Sequence, residues 1–344
     1  MTYRAAVIGC GRIGCGFDDD PERGYVSTHA GAYRRTPGVE LVALVDVDRD
    51  KRERYGKKFN VAALYPNDET LFDREKLDIV SICTWNDTHR AMVERAARAG
   101  VKAIFCEKPL SNSLADADAI LRICREKNIL LMVDHQRRFD RFHREAAAFV
   151  RGGGLGRLQQ VTAYYTAGVA NTGTHLFDFL RFCLGEVDWV QGIESRIAAP
   201  NASDPNIDGW LSFKNGPLVA IQALDVRAYT IFEFNFLGES GRFRITSHGF
   251  DSSFEASTGS KRFPGLRDLS PAPSPVDAGG GREFMLQAMA HLVECLDKGQ
   301  APVSGGEDGR RAMEIICALR ESAASDGRRI HLPLKDSPIL IPSR

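Results

Sequence analysis

The sequence predicts an α/β protein: an N-terminal doubly wound parallel sheet, followed by a C-terminal α+β domain with an open, mainly antiparallel sheet. Two patterns carry this prediction. In the first third of the chain, short apolar runs alternate with helical patterns, which is typical of parallel strands joined by helices. After about residue 135, long runs of alternating apolar and polar residues follow one another with few helices between them, which indicates antiparallel strands.

Five apolar runs of the N-terminal part are predicted to be buried strands. They lie at residues 5–8, 41–45, 78–83, 102–106 and 129–133. Helical patterns at 92–99 and 113–127 separate the later ones. A chain of 344 residues is long for a single core, so we expect two domains. We predict that the first spans residues 1–134 and the second 135–344, with the terminal segment 283–344 packing back near the first.

The C-terminal part begins with a predicted helix at residues 139–151, which ends at three consecutive glycines. Predicted strands follow at 158–165, 187–197, 208–213, 218–224 and 231–237. Lys214-Asn215-Gly216 is a hairpin-turn signal between two of them. Residues 258–282 are rich in proline and glycine and are predicted to form a long loop. Two helices, at 283–298 and 308–325, are predicted to close the fold.

The last predicted strand of this sheet carries apolar side chains on both of its faces. Phe232, Phe234 and Phe236 share one face, while Ile231 and Leu237 lie on the other. A large exposed apolar face is uncommon on a soluble monomer. We therefore expect the C-terminal sheets of two or four copies to pair, giving a homodimer or homotetramer.

Charge and cysteine content exclude several classes of function. Forty-five basic residues balance forty-five acidic ones, which gives no electrostatic case for binding nucleic acid or an anionic membrane. No apolar stretch approaches the length of a membrane span, and the first strand begins too early to leave room for a signal peptide. The eight cysteines are scattered without a C-x-x-C pair, so we expect buried reduced thiols, no metal site and a cytoplasmic location.

A glycine-rich turn follows the first predicted strand and indicates a dinucleotide site. Its residues with expected contacts to a cofactor are Gly9, Gly11, Arg12, Ile13 and Gly14. Glycines at this spacing permit a tight turn and let backbone N–H groups approach a pyrophosphate at a helix N-terminus. Taken alone, the motif is also compatible with an ordinary glycine-rich turn.

Asp46 ends the second predicted strand, where a carboxylate can accept hydrogen bonds from the adenosine ribose. It would also repel a 2′-phosphate, so NAD is the expected cofactor, and Arg49 keeps NADP as the less favoured alternative. Asp46 lies farther from Gly14 than the roughly 20 residues that are typical. The excess is residues 15–27, which we expect to interrupt the first helix as a surface insertion or, less favoured, to reach over the bound cofactor or substrate.

Two further motifs lie at the predicted carboxyl ends of strands, the edge where open α/β sheets bind ligands. Thr84, Asn86 and His89 follow the third strand, and His89 could alternatively cap the next helix. Glu107-Lys108-Pro109 follows the fourth strand. The proline fixes the exit of the chain from the strand, and the ammonium of Lys108 would lie beside the nicotinamide, where an alcohol is oxidised or a ketone reduced.

Together with the segment Asn171-Thr172-Gly173-Thr174-His175-Leu176-Phe177-Asp178, these motifs resemble the Gfo/Idh/MocA oxidoreductase family (glucose-fructose oxidoreductase and inositol dehydrogenase-like). The resemblance covers essentially the whole chain and implies an N-terminal Rossmann domain. Thr84, Asn86, His89, Glu107 and Lys108 would then lie on the cofactor side. The family uses the histidine that corresponds to His175 as an acid/base. Trp85 stands where the family pattern has a proline.

Asn171 departs from the family, because many members have an aspartate at this position. An asparagine can hydrogen-bond substrate but cannot stabilise an imidazolium by charge. The resemblance therefore favours a Lys108, Asn171 and His175 arrangement, as in nucleotide-sugar branches, over a Lys-Asp-His inositol dehydrogenase triad. It implies a UDP-N-acetylglucosamine-type 3-dehydrogenase, with a free sugar or inositol dehydrogenase as the alternative, and a non-catalytic dinucleotide sensor as a further one.

Further residues are candidates for substrate contact. Arg137 and Arg138, with Arg141 and Arg144 nearby, could bind a diphosphate or an acidic sugar bidentately, or could form a solvated helix face. Tyr165 could stack on a sugar ring or belong to the sheet core. Asp178, one helical turn from His175, could point to the same side.

Overall fold

The computed structural model describes residues 2–277, 279 and 282–343. The chain folds into two compact units. The first comprises the chain up to Asp140, a later stretch that ends at Arg310, and the residues from Pro342. The second begins at Arg141 and includes the segment Arg311–Ile341. Assigning the cofactor to one unit and the substrate to the other stays a prediction.

The first unit contains a six-stranded parallel sheet with helices between its strands. The strands are β1 (Tyr3–Ile8), β2 (Val39–Val45), β3 (Ala63–Tyr65), β4 (Ile79–Ile82), β5 (Ala103–Cys106) and β6 (Leu130–Val133). The helices are α1 (His29–Arg35), α2 (Arg49–Phe59), α3 (Asp68–Arg74), α4 (His89–Ala99) and α5 (Leu114–Glu126). The order β3-β2-β1-β4-β5-β6 confirms the predicted doubly wound sheet, with its switch point between β1 and β4.

Strands β1, β4 and β5 are buried nearly throughout, which explains their continuous apolar sequence. Four helices begin with a side chain that accepts a hydrogen bond from the backbone, and these capping residues are Thr28, Asp48, Asn67 and Ser113. These local signals fix where each helix starts, and hence where each strand-to-helix turn opens.

The second unit contains a nine-stranded, mainly antiparallel sheet. Its elements are α6 (Arg141–Arg151), β7 (Leu158–Thr166), α7 (Gly173–Leu184), β8 (Val187–Glu194), β9 (Ile207–Phe213), β10 (Leu218–Leu224), β11 (Glu233–Gly238), β12 (Gly241–Thr246), β13 (Asp251–Gly259) and β14 (Arg267–Ala272). Helix α8 (Phe284–Lys298) belongs to the first unit, and helix α9 (Gly306–Ala323) passes from the first unit into the second. The last strand, β15 (Ile330–His331), pairs with β8.

Helices α6 and α7 pack on one face of this sheet. Phe179 of α7 contacts Phe234 of β11, and Phe149 of α6 contacts Phe243 of β12. Phe234 and Phe236 are fully buried there, as their shared face predicted. The α+β prediction is thus confirmed, with one parallel pair, β7 and β10, inside the otherwise antiparallel sheet.

The predicted long loop over residues 258–282 is wrong for its first half. Strands β13 and β14 form an antiparallel hairpin there, with Thr258 opposite Asp268. The prolines misled the prediction: Pro271 lies in β14, which is an edge strand, and edge strands tolerate a missing N–H donor. Residues 278, 280 and 281 of the predicted loop lie outside the described residues.

Candidate functional site

The glycine turn after β1 has the geometry that only glycine allows at two positions. Gly9 has φ +103°, and an added Cβ would lie 2.7 Å from the carbonyl oxygen of Cys83. A Cβ on Gly14 would lie 1.9 Å from the carbonyl oxygen of Gly9. Gly11 differs, because its Cβ would meet no atom within 4 Å. The turn therefore packs tightly against the end of β4 at Gly9, whereas the space beside Gly11 is free of other atoms. A pyrophosphate needs such a space.

Asp46 joins this turn to the end of β2. Its Oδ2 accepts a hydrogen bond from the backbone N–H of Cys10 at 2.8 Å, and its Oδ1 accepts one from Asp48 at 2.9 Å. The carboxylate is only half-buried, so it retains access to a ribose hydroxyl. Arg49, the residue that kept NADP as an alternative, pairs with Glu53 at 2.6 Å. These residues fit a dinucleotide that lacks a 2′-phosphate.

Residues 15–27 form a surface insertion in the first helix. The backbone N–H groups of His29 and Ala30 donate to the carbonyls of Ile13 and Gly14, so the helix continues across the insertion. The insertion contains a short 3-10 helix, Gly16–Asp19, and Asp19 contacts Tyr55 and Lys58 of α2. Within this unit the predicted interruption is therefore present, and the inserted segment is anchored on α2.

The side chain of His89 anchors the turn that follows β4. The ring of His89 is buried, and its nitrogens lie 3.2 Å from the carbonyl oxygen of Thr84 and 3.1 Å from that of Leu110. Asn86 donates to the carbonyl of Ser111 and accepts from Ser343. The two side chains thus fix the turns that follow β4 and β5. Contact of this turn's backbone with a nicotinamide stays a prediction.

Lys108 follows β5 and rests on a buried group of polar side chains. Glu107 Oε1 lies 3.2 Å from Nε2 of His29, and Glu107 Oε2 accepts the backbone N–H of Lys108 at 3.2 Å. Asp134, at the end of β6, hydrogen-bonds Glu107. Nδ1 of His29 in turn lies 2.8 Å from Ser81 Oγ. Sequence reasoning missed His29 and Asp134, because His29 lies far from Lys108 along the chain and no motif links it to Asp134.

Burial sets the charges in this group. It lowers the pKa of His29 to about 4, so the ring is neutral near pH 7. Burial first, and then the charge of Glu107, raise the pKa of Asp134 well above its usual value. The pKa of Glu107 is also raised by burial, against the opposing effect of the Lys108 charge. One nitrogen or oxygen atom from each of His29, Glu107 and Asp134 lies within 4.8 Å of the other two, close enough that the three side chains could also hold a metal ion.

The two arginines proposed for substrate contact are both buried in the first unit. The guanidinium of Arg138 donates to the carbonyl of Val303 at 3.0 Å and pairs with Asp308 at 2.9 Å. Arg138 therefore joins the end of β6 to the start of α9. This structural role accounts for its burial, and we do not carry Arg138 into the proposed substrate site.

In the second unit, Asn171 and His175 lie at the start of α7. Thr172 precedes the helix, and His175 is in its first turn. Both Asn171 and His175 are half-buried, whereas Asp178 is fully buried. The start of α7 therefore leaves Asn171 and His175 partly accessible.

The loop before α7 is anchored by two buried residues that the sequence did not suggest. Asp204 accepts the backbone N–H groups of Ala170 at 2.7 Å and Asn171 at 3.0 Å. Asn206 accepts the N–H of Gly168 at 3.0 Å. Gly168 is required, because its φ is +95° and a Cβ would lie 2.2 Å from Asp204. The D-P-N segment resembles an ordinary turn in the sequence, so its anchoring role could not be separated from loop chemistry.

Tyr165 belongs to the sheet core, the alternative considered from the sequence. Its side chain is fully buried, and its hydroxyl donates to the carbonyl of Ile207 at 2.7 Å. The same hydroxyl accepts the N–H of Ile207 at 2.9 Å. We therefore leave Tyr165 out of the proposed substrate site.

The expected burial of the cysteines is confirmed within the described residues. All eight cysteines are buried, and none of them forms a disulfide. Across residues 2–277, 279 and 282–343, no helix is both long enough and apolar enough to span a bilayer.

Comparisons with known proteins agree with this geometry. The Gfo/Idh/MocA family profile, described as an oxidoreductase family with an NAD-binding Rossmann fold, matches residues 3–135. A D-apiose dehydrogenase from Paraburkholderia graminis is 28% identical over 93% of this chain and 88% of its own. A myo-inositol 2-dehydrogenase from Thermotoga maritima is 24% identical over 93% of this chain and 96% of its own.

The fold is also found among solved structures. The WlbA dehydrogenase from Bordetella pertussis, solved with NADH and UDP-GlcNAcA, superposes with a TM-score of 0.79 over 97% of this chain and 99% of its own. Its sequence identity is 19%, so this similarity concerns the fold alone. Together with the glycine turn and the Lys108 motif, these findings show that residues 3–135 form an NAD-binding Rossmann domain of the Gfo/Idh/MocA oxidoreductase type, with NAD as the cofactor.

Proposed function

We propose that the protein is an NAD-dependent dehydrogenase that oxidises a CH–OH group of a free sugar or polyol. The observation that carries this proposal is Lys108, which follows β5 on a turn fixed by a buried carboxylate, in the same unit as the glycine turn. The two relatives named as apiose and inositol dehydrogenases support the free-sugar or polyol class.

In this proposal bound NAD⁺ would supply the hydride acceptor for oxidation of the carbinol carbon. Gly9, Gly11 and Gly14, with Arg12 and Ile13 between them, would line the pyrophosphate, and Asp46 would accept hydrogen bonds from the ribose hydroxyls. Thr84, Asn86, His89 and Glu107 hold the turns on the nicotinamide side. These residues bind and orient the cofactor but take no part in proton transfer.

His175 is the proposed general base. It accepts the hydroxyl proton as the carbon–oxygen double bond forms. Lys108 donates a hydrogen bond to the same oxygen and stabilises its developing negative charge. Asn171 orients a substrate hydroxyl as a neutral partner. Run backwards, the same residues reduce a ketone, with His175 returning the proton.

A nucleotide-linked amino sugar, the substrate class favoured by the sequence, is the second candidate. Asn171 in place of aspartate still favours it. The ion pair of Arg138 with Asp308 weakens it, because one of the two arginines expected at a diphosphate is engaged elsewhere. Arg137 and Asp178 remain substrate-site candidates.

We also propose that the protein assembles into a homodimer or homotetramer through the second-unit sheet. On the face away from α6 and α7, Trp210, Leu218 and Ile193 are exposed. The middle of that face is more polar than the sequence suggested, with Thr162 opposite Asn235. The apolar part therefore lies towards β8, β9 and β10. Light scattering that shows a monomer at all concentrations would reject this assembly.

A cytoplasmic location remains a prediction.

A substrate panel tests the proposed reaction. Reduction of NAD⁺ and NADP⁺ is followed by the absorbance of reduced nicotinamide, with free pentoses and hexoses, inositols and UDP-sugars as substrates. We expect turnover with NAD⁺ and a free sugar or polyol. Turnover confined to UDP-sugars would select the second candidate, and no turnover with any member while NAD still binds would favour a non-catalytic dinucleotide sensor.

A further inference from the structure

The buried group beneath Lys108 contains two carboxyl groups in contact, and this arrangement needs a physical account. Glu107 and Asp134 are 7% and 4% exposed. Two adjacent buried carboxylates would repel each other, and each would lose its hydration. The charge of Lys108 opposes this effect at both groups but offers only one compensating positive charge. One of the two carboxyls must therefore hold a proton.

The hydrogen bonds indicate which carboxyl is ionised. Glu107 accepts the backbone N–H of Lys108 and contacts Nε2 of His29, so it has a donor at each oxygen. Oδ1 of Asp134 is buried and accepts no hydrogen bond from the described residues. A carboxylate oxygen without a donor is costly, whereas a neutral carboxylic acid tolerates it better. Glu107 is thus suited to the charge, and Asp134 to the proton.

The tautomer of His29 follows from the same chain of contacts. An ionised Glu107 has no proton to donate, so Nε2 of His29 carries the ring proton and donates to it. Nδ1 of the neutral ring then accepts from Ser81 Oγ. Ser81 has a single proton, so the buried hydroxyl of Tyr33, whose pKa is raised by burial, donates to Ser81 Oγ at 2.8 Å. Every donor in this series therefore points towards Glu107.

We propose that Asp134 is a neutral carboxylic acid that donates to Glu107, and that Asp134 and His29 are positioning residues for Lys108. Both act through ionised Glu107, which fixes the Lys108 backbone and places one negative charge beside its ammonium. The inference rests on the proposed function, because its catalytic consequence requires that Lys108 contacts the reacting oxygen. The protonation of Asp134 itself does not depend on that role.

The other ionisable groups that face this pair are consistent with a single shared charge. Cys83 and Cys106 lie against Glu107, and burial raises the pKa of both thiols, so they are neutral. His29 is neutral for the same reason. Lys108 supplies the positive charge, and Glu107 the negative one.

Three variants of the full chain separate the roles. Asp134→Asn keeps a donor without an ionisable proton, Asp134→Ala removes the donor, and Glu107→Gln removes the charge. We expect Asp134→Asn to retain kcat within about threefold, and Asp134→Ala to lose roughly tenfold to a hundredfold, the range of a hydrogen bond to a charged group. NAD affinity should stay within about twofold in both. Glu107→Gln should move the basic limb of the pH profile downward, because the Lys108 ammonium loses a neighbouring negative charge.

Asp297→Asn is the matched control, because Asp297 accepts a hydrogen bond from Tyr3 at the amino-terminal end of β1, away from the strand ends that carry Lys108. It should leave turnover and the pH profile unchanged. Thermal unfolding of each variant reports whether it folds. If Asp134→Ala does not fold, Asp134→Asn and the spectroscopic measurement below still decide the proposal.

Isotope-edited infrared spectroscopy with labelled aspartate measures the proton directly. We expect the carbonyl band of a protonated carboxylic acid near pH 7 in the wild type and its loss in Asp134→Asn. Absence of the band, or an Asp134→Asn variant as impaired as Asp134→Ala, would overturn the proposal. So would stability that falls on adding EDTA in the wild type but not in Asp134→Asn, since that indicates a metal at the cluster. If the band is present but Lys108→Ala is fully active, the proposed function fails and the protonation stands.

Discussion

The turn that carries Lys108 and the loop that carries Asn171 and His175 are built in different ways. Lys108 follows a buried parallel strand, and side chains from α1, β5 and the end of β6 support it. The Asn171 loop is held mainly through its backbone, by Asp204 and Asn206, and His175 takes its direction from the start of α7. Changes at the first region should alter charge and pH dependence, whereas changes at the second should alter substrate binding.

His175→Ala should give the largest loss of activity. Removing a general base lowers turnover by roughly 10²–10⁴-fold. NAD affinity should be unchanged, because the cofactor contacts we propose lie in the first unit. His331→Ala, an exposed histidine of the second unit, is the control and should be fully active. A His175→Ala variant with near-wild-type turnover at all pH values would remove the general base from the account.

Asp204→Ala should give the next largest effect. It removes two hydrogen bonds from backbone N–H groups to a buried carboxylate, each worth roughly 1.5–3 kcal/mol. We expect KM for the sugar to rise about tenfold or more, with NAD affinity unchanged. Asp225→Ala, on an exposed turn of the same unit, is the control for a lost carboxylate. Equal effects on NAD and sugar would contradict the division between the two regions.

His29→Gln should change stability in a pH-dependent way. His29 has a pKa of about 4 in the folded protein, against about 6.5 when unfolded. The unfolded chain therefore binds more protons between these values, and wild-type stability falls by up to about 1.4 kcal/mol per unit as pH drops from 6.5 to 4. The variant should lack this slope. Urea unfolding at several pH values measures this slope. If the stability of the wild type and of the variant depends on pH in the same way, His29 is not buried in its neutral form.

Asn171→Asp should have the smallest effect. The new carboxylate near His175 favours the protonated imidazole, so the acidic limb of the oxidation profile should move upward by about one pH unit or less. We expect no gain in turnover if Asn171 acts as a neutral partner. A large gain on inositol would instead indicate that the site works best with the aspartate found in inositol dehydrogenases.

Sequence patterns predicted the parts of the molecule that local signals determine. The glycine turn, Asp46 and the Glu107-Lys108-Pro109 tripeptide each lie where a buried strand ends, and strand periodicity locates those ends. The two-sheet architecture followed from the change of pattern near residue 135. The β13–β14 hairpin was missed because its prolines resemble loop chemistry, although an edge strand accepts them.

The supporting residues could not be predicted because only tertiary packing brings them together. His29 and Glu107 meet across the sheet from α1 and the end of β5. Asp204 reaches the Asn171 loop from a separate turn. Burial also bears on two candidate substrate residues, because Arg138 pairs with Asp308 and Tyr165 hydrogen-bonds Ile207, neither of which the sequence indicates.

Lys108→Ala tests the central claim most directly, with NAD⁺ affinity measured by titration and hydride transfer measured in a single turnover on the best substrate of the panel. Lys102→Ala is the matched control, because Lys102 lies just before β5, at the other end of the strand from Lys108, and pairs with Asp78. We predict that Lys108→Ala binds NAD⁺ within about twofold of the wild type and loses roughly a hundredfold or more of the hydride-transfer rate. A transfer rate equal to that of the control would contradict the account.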